Sequence, residues 1–109
     1  MHRRFHDRHA RLAWLKAREV ARRLRADPAL VAAGRAHLER FMAPDPHQAK
    51  AVAAWRALLD LPAAAIADLL EEEGPRADWL RETKPVFVAL DGPTMARLVD
   101  EARAADAPC

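Results

Sequence analysis

The sequence predicts an all-α fold, a compact bundle of about five to six short helices with one short extended apolar segment near residues 86–90. Three observations carry this. Alanine supplies 26 of the 109 residues and arginine 15, both strong helix formers. Seven Val and Ile and two Thr are too few for a β-sheet protein. Proline sits where helices begin, behind Asp, Leu or Gly, rather than inside apolar periodic stretches. A chain of this length buries roughly two-thirds of its unfolded surface, so residues 1–109 are expected to form a single helical domain, with 1–26 a basic helical arm and 106–109 a tail.

The elements follow in order. Helix 1 is expected over 6–25, with Ala13, Trp14, Ala17, Val20, Ala21 and Leu24 forming its apolar stripe. Phe5, Leu12 and Leu15 widen that stripe near its start. Asp27-Pro28 reads as N-cap and first helical residue, because proline has no N–H to lose there and the Asp carboxylate accepts an orphan one. It opens helix 2, over 28–42, whose face is Leu30, Val31, Gly34, Leu38 and Phe41. Asp45-Pro46 repeats the device for helix 3, over 46–60, with Ala51, Val52, Trp55, Leu58 and Leu59 on one side. Leu61-Pro62 opens helix 4, over 62–73, through Ala65, Ile66, Leu69 and Leu70. Gly74 suits the left-handed position that ends a helix, and Gly74-Pro75 begins helix 5 over 75–83. Pro85 disfavours helix at Lys84. The stretch Pro85-Val86-Phe87-Val88-Ala89-Leu90 is apolar, β-branched and too short for a buried helix. It is either an extended plug lying across the helices or a strand that pairs with another chain. Asp91-Gly92-Pro93-Thr94 opens helix 6, over 93–105, with Met95, Leu98, Val99 and Ala102.

Composition removes several function classes. The chain has no Ser, Asn or Tyr, which excludes serine nucleophiles, tyrosine general acids and N-glycosylation. Three widely spaced glycines exclude a phosphate loop. The single cysteine, Cys109, has no partner for an internal disulfide and reads as an exposed thiol. His2, His6 and His9 share one side of a helix, but they stand among arginines that disfavour a metal cation, and no metal or other cofactor is expected. His37 and His47 are isolated. Met1-His2-Arg3-Arg4 is followed by no apolar run, because charged residues interrupt each candidate, and no long apolar segment exists; a cytoplasmic protein without a membrane span is expected. The expectation is a non-enzymatic protein.

The formal net charge of +2 conceals a gradient. Residues 1–26 carry nine basic and two acidic side chains, +7; residues 27–59 carry +1; residues 60–109 carry five basic and eleven acidic side chains, −6. On helix 1, Arg4, Arg8, Arg11, Arg18, Arg22 and Arg25 fall within one sector at about 100° per residue. Such a stripe fits phosphate oxygens and makes these six the candidate nucleic-acid-binding residues. It equally fits a solvated face, or pairing with the acidic C-terminal half within the chain or in a dimer. Helices 4 and 5 resemble a helix-turn-helix in outline, but Glu71-Glu72-Glu73 between them would repel a phosphate backbone. Consecutive residues on a helix point apart, so these glutamates cannot converge on one ion. They sit at the end of the helix where the dipole disfavours acids, which points toward a partner. With Trp79, Val86, Phe87 and Val88 they form the candidate partner-binding set.

The segments Trp55-Arg56-Ala57-Leu58-Leu59-Asp60-Leu61-Pro62, Ile66-Ala67-Asp68-Leu69-Leu70 and Trp79-Leu80-Arg81-Glu82-Thr83-Lys84-Pro85-Val86-Phe87 resemble a pattern in a group of small all-helical bacterial proteins read as antitoxins of toxin–antitoxin operons. Val20-Ala21-Arg22-Arg23-Leu24, followed by Asp27-Pro28-Ala29-Leu30, is similar to their opening. This chain places Val86 between Pro85 and Phe87, where the group commonly has Phe directly after Pro. The resemblance implies an antitoxin-like binding protein that engages a toxin protein, with nucleic acid as a second partner for autoregulation. The alternatives are a stand-alone nucleic-acid-binding regulator and a self-associating helical adaptor that forms a homodimer.

Overall fold

A computed structural model describes residues 8–104. Among them the protein is all-α, with six helices: α1 (Arg8–Ala26), α2 (Leu30–His37), α3 (Ala49–Leu58), α4 (Ala63–Glu71), α5 (Pro75–Thr83) and α6 (Gly92–Ala104). A π-helical turn, Leu38–Met42, extends α2, and a 3₁₀ turn, Pro46–Gln48, leads into α3. The long first helix is the organiser: it packs along α4 on one side and α6 on another.

The proline-led starts act through the chemistry expected of them. Asp45 accepts from the His47 N–H at 2.9 Å, with Pro46 at the first position of the turn. Asp27 accepts from the Ala29 N–H at 3.2 Å, and Asp91 from the Thr94 N–H at 2.7 Å. The Thr94 hydroxyl first, and this N–H second, hold the Asp91 carboxyl below its ordinary range. Gly74 takes a φ of +118°, which a side chain rarely tolerates, but it lies at the entry to α5 rather than at the end of α4. The fourth helix stops earlier, at Glu71, because Arg81 takes the carbonyls of Leu70 (3.1 Å) and Glu72. A buried guanidinium does the work expected of a glycine cap.

One large core unites Val20, Ala21 and Leu24 of α1, Leu38 and Met42 of the π turn, Val52 and Trp55 of α3, Ile66 and Leu70 of α4, and Leu80 of α5. A smaller cluster joins Leu15 to Leu98 and Ala102 of α6. Leu12 packs on it, so Leu12 and Leu15, expected to widen the apolar stripe of α1, are its contact with α6, while Phe5 lies outside the described residues. Helix 2 departs from the expected continuous helix. The Ala43 N–H bonds the Leu38 carbonyl at 2.8 Å, five residues back. That wider turn places Leu38 and Met42 inside and leaves Phe41, expected on the apolar face, 59% exposed.

The segment after Pro85 is a plug and not a strand. It forms neither helix nor strand and bends at Phe87 and Val88, not the extended run expected, and the Phe87 ring enters the core against Trp55, edge to face at 6.0 Å. Opposite lies Gly34, where any Cβ would overlap the Phe87 ring. The glycine is required here by the closeness of the plug, since Gly34 lies inside an ordinary helix. The Val86 N–H donates to Nδ1 of His37 at 3.2 Å, anchoring the plug to α2.

Candidate functional site

The arginine stripe of α1 is partly open to solvent, Arg22 most of all, and partly engaged by acids. It runs along the seams that α1 makes with α4 and α6, and acids of the C-terminal half meet it there. Arg18 donates to Glu101 at 2.7 Å, Arg25 to Asp68 at 2.7 Å and to Glu71, and Arg11 to the Ala102 carbonyl at 3.1 Å. Of the three readings of the stripe, pairing within the chain is the one this geometry realises. The hydrogen bonds to Asp68 and then Glu71 raise the Arg25 pKa above its ordinary value. Arg8 lies exposed at the start of α1, and Arg4 lies outside the described residues.

At the centre of the seam is a residue the charge count treats as incidental. Glu19 is 7% exposed, and three arginines converge on its carboxylate. Arg22 grips it through Nε at 3.2 Å and a second nitrogen, Arg23 donates from Nε at 2.9 Å, and Arg97 of α6 reaches it at 3.3 Å. Arg23 also donates to the Thr94 hydroxyl at 3.3 Å. The hydrogen bond from Arg22 dominates, and with those from Arg23 and the two positive charges it outweighs desolvation and lowers the Glu19 pKa to about 2. The same bond raises the Arg22 pKa. Above this carboxylate opens a groove of about 500 Å³ lined by Leu15, Arg18, Glu19, Arg22, Arg25, Glu71, Arg97 and Leu98.

The partner-binding set is dispersed. Glu71 pairs with Arg25, and its carbonyl accepts from the Trp14 indole at 3.5 Å. Glu72 and Glu73 are exposed in the link between α4 and α5. Trp79 is half-buried against the large core, with the Lys50 ammonium over its ring at 5.7 Å. Val88 is half-buried against the same core. Phe87 corrects the expectation of an exposed contact residue: at 3% exposure it belongs to the interior, because the pocket between Trp55 and Gly34 takes the whole ring. Val86 is 45% exposed. Its neighbour across His37 is Phe41, whose ring lies 5.1 Å from the imidazole, so the two large apolar side chains flank one histidine at the surface.

Sequence reasoning passed over Glu19, Arg97, Arg81 and Phe41. For Glu19 a signal existed: an acid three and four residues before arginines on one helix is a favourable pairing. For Arg97 and Arg81 the partners lie on other elements, and for Phe41 the π turn decides. Lys84, where α5 ends, has its pKa lowered by burial first and by the Lys16 charge second.

Among the described residues no cluster of His, Cys, Asp or Glu is arranged to hold a metal ion. His9 is exposed, and His2 and His6 lie outside the described residues. No helix among them is long and apolar enough to cross a membrane. Comparison with known family models, curated proteins and solved structures finds no match.

Proposed function

We propose that this chain is a non-enzymatic, antitoxin-like binding protein that engages a partner protein of basic character. The observation that carries the reading is the pair Val86 and Phe41. Both are large, apolar and exposed, and both have close neighbours: Val86 through its N–H bond to His37 and the buried Phe87 beside it, Phe41 through the His37 ring and the Arg40 guanidinium. Apolar side chains fixed in place lose little entropy on binding and serve as anchors at interfaces. Glu72 and Glu73, exposed in the link between α4 and α5, add acidic surface that favours a basic partner and speeds encounter with it.

Nucleic acid is the second reading, favoured by Arg18, Arg22, Arg25 and Arg97 lining one groove. It ranks lower because singly charged phosphodiesters would have to displace Glu101, Asp68 and Glu71 from those arginines.

Co-expression with the product of the neighbouring gene tests the proposal. The expected result is a stoichiometric complex and relief of growth arrest caused by that product, both lost when Phe41→Asp and Val86→Asp are combined. A neighbour that is harmless, or a chain that elutes alone beside it, refutes the reading. A salt titration with DNA and RNA tests the second reading, where binding should weaken steeply with salt and Arg18→Ala, Arg22→Ala and Arg25→Ala should flatten the slope.

A further inference from the structure

We propose that the groove between α1 and α6 is a binding site for a small molecule carrying a terminal phosphomonoester, with Arg22 and Arg97 as its fixed phosphate donors and Arg18 and Arg25 closing on it from the rim. This inference does not depend on the partner-protein reading.

Charge, geometry and volume point the same way. The lining holds four arginines against Glu19 and Glu71, and Asp68 and Glu101, just outside it, balance the other two charges, so a phosphomonoester dianion would take the place of those two carboxylates on Arg25 and Arg18. Glu19 is the buried counter-ion that pins Arg22 and Arg97 at the floor of the groove. A guanidinium has five N–H donors, and the fork onto Glu19 uses only two from Arg22. Arg22 and Arg97 are 67% and 56% exposed, so the remaining edges are open to a ligand. The rim arginines differ in that the carboxylates they hold, Glu101 and Asp68, are themselves exposed. Arg18 and Arg25 are 41% and 40% exposed, and surface pairs of that kind exchange partners at little free-energy change. Leu15 and Leu98 supply an apolar wall, and about 500 Å³ lies in the usual range for a small-molecule pocket.

A phosphodiester strand fits less well. It carries its charges singly along a line, so no one phosphate could replace both rim carboxylates. Arg11, next on the stripe, already donates to the Ala102 carbonyl.

Calorimetric titration at low salt with AMP, inorganic phosphate and a short oligonucleotide lacking terminal phosphates tests the site. AMP should bind, and inorganic phosphate should displace it. Arg22→Ala combined with Arg97→Ala should weaken AMP binding by at least about tenfold, from the loss of charged hydrogen bonds. Arg18→Ala with Arg25→Ala, which leaves the Glu19 contacts intact, should weaken it several-fold and keeps the test valid if the first pair misfolds. Arg40→Ala, remote from the groove, should change nothing. Absence of AMP binding overturns the proposal, as does binding that survives both double substitutions. It is equally overturned if the oligonucleotide binds while AMP neither binds nor competes.

Discussion

Replacing Glu19 with Gln keeps the shape of the side chain and removes its charge. In the native protein a carboxylate at 7% exposure is held by Arg22, Arg23 and Arg97. Its pKa falls from 4.5 to about 2, and each unit is worth about 1.4 kcal/mol of linkage between ionisation and folding. The full shift overstates the effect, because Arg22 and Arg97 are more than half in solvent and water screens them. The expected loss for Glu19→Gln is therefore about 1–2 kcal/mol at neutral pH, a fall in Tm of roughly 5–10 °C for a chain of this size. The sign with pH follows from the direction of the shift. A carboxylate whose folded pKa is depressed stabilises the protein above its unfolded pKa and loses that contribution as pH falls through the folded value. The difference between native and variant should thus be constant above pH 4.5 and shrink as pH drops toward about 2. Urea denaturation of both proteins at a series of pH values reads this out. A variant as stable as the native protein at neutral pH, or a gap that persists unchanged at the acid end, would refute the account of Glu19 as a charge-stabilised hub.

The plug gives a second set of outcomes. Phe87→Ala should destabilise by about 3–5 kcal/mol in chemical denaturation, since it empties the space beside Trp55. Gly34→Ala gains up to about 1 kcal/mol of helix propensity but forces a methyl into the Phe87 ring, and the overlap, about 1–3 kcal/mol, should win. The two should couple: in the Phe87→Ala background, Gly34→Ala should become neutral or stabilising. Arg81→Met keeps the apolar stem and strips the donors from the Leu70 and Glu72 carbonyls; a loss of about 1.5–3 kcal/mol is expected, with faster amide exchange at the end of α4. A double-mutant cycle on Arg18 and Glu101, an exposed pair, should return no more than about 1 kcal/mol and vanish in high salt.

What was legible in the sequence was local. The Asp-Pro and Gly-Pro starts act over two or three residues, and the helices they open lie where the apolar spacing puts them. The buried face of α1 follows from the same arithmetic through Ala17, Val20, Ala21 and Leu24. The fate of the arginine stripe was not legible, because its acids stand on α4 and α6, 43 residues from Arg25 in Asp68 and 83 from Arg18 in Glu101. Periodicity assigns a face to the outside of its own helix and says nothing of what another helix brings to it. Phe41 failed for a subtler reason: one extra residue in a turn rotates everything after it, and the residues that produce a π turn carry no strong propensity signal. Phe87 was recognised as apolar, yet its burial depends on a missing Cβ at Gly34, 53 positions earlier.

The first helix packs most extensively on α4 and next on α6, the last helix among the described residues. Helical proteins usually fold fast because their contacts are close in sequence, and here that rule is weakened. During synthesis α1 precedes both partners and must wait while they are made, an interval on the order of several seconds. Until α6 follows, Leu15 lacks the cover of Leu98 and Ala102. A chain stopped short of α6 would leave the Leu15 end of its longest helix exposed to proteases and chaperones.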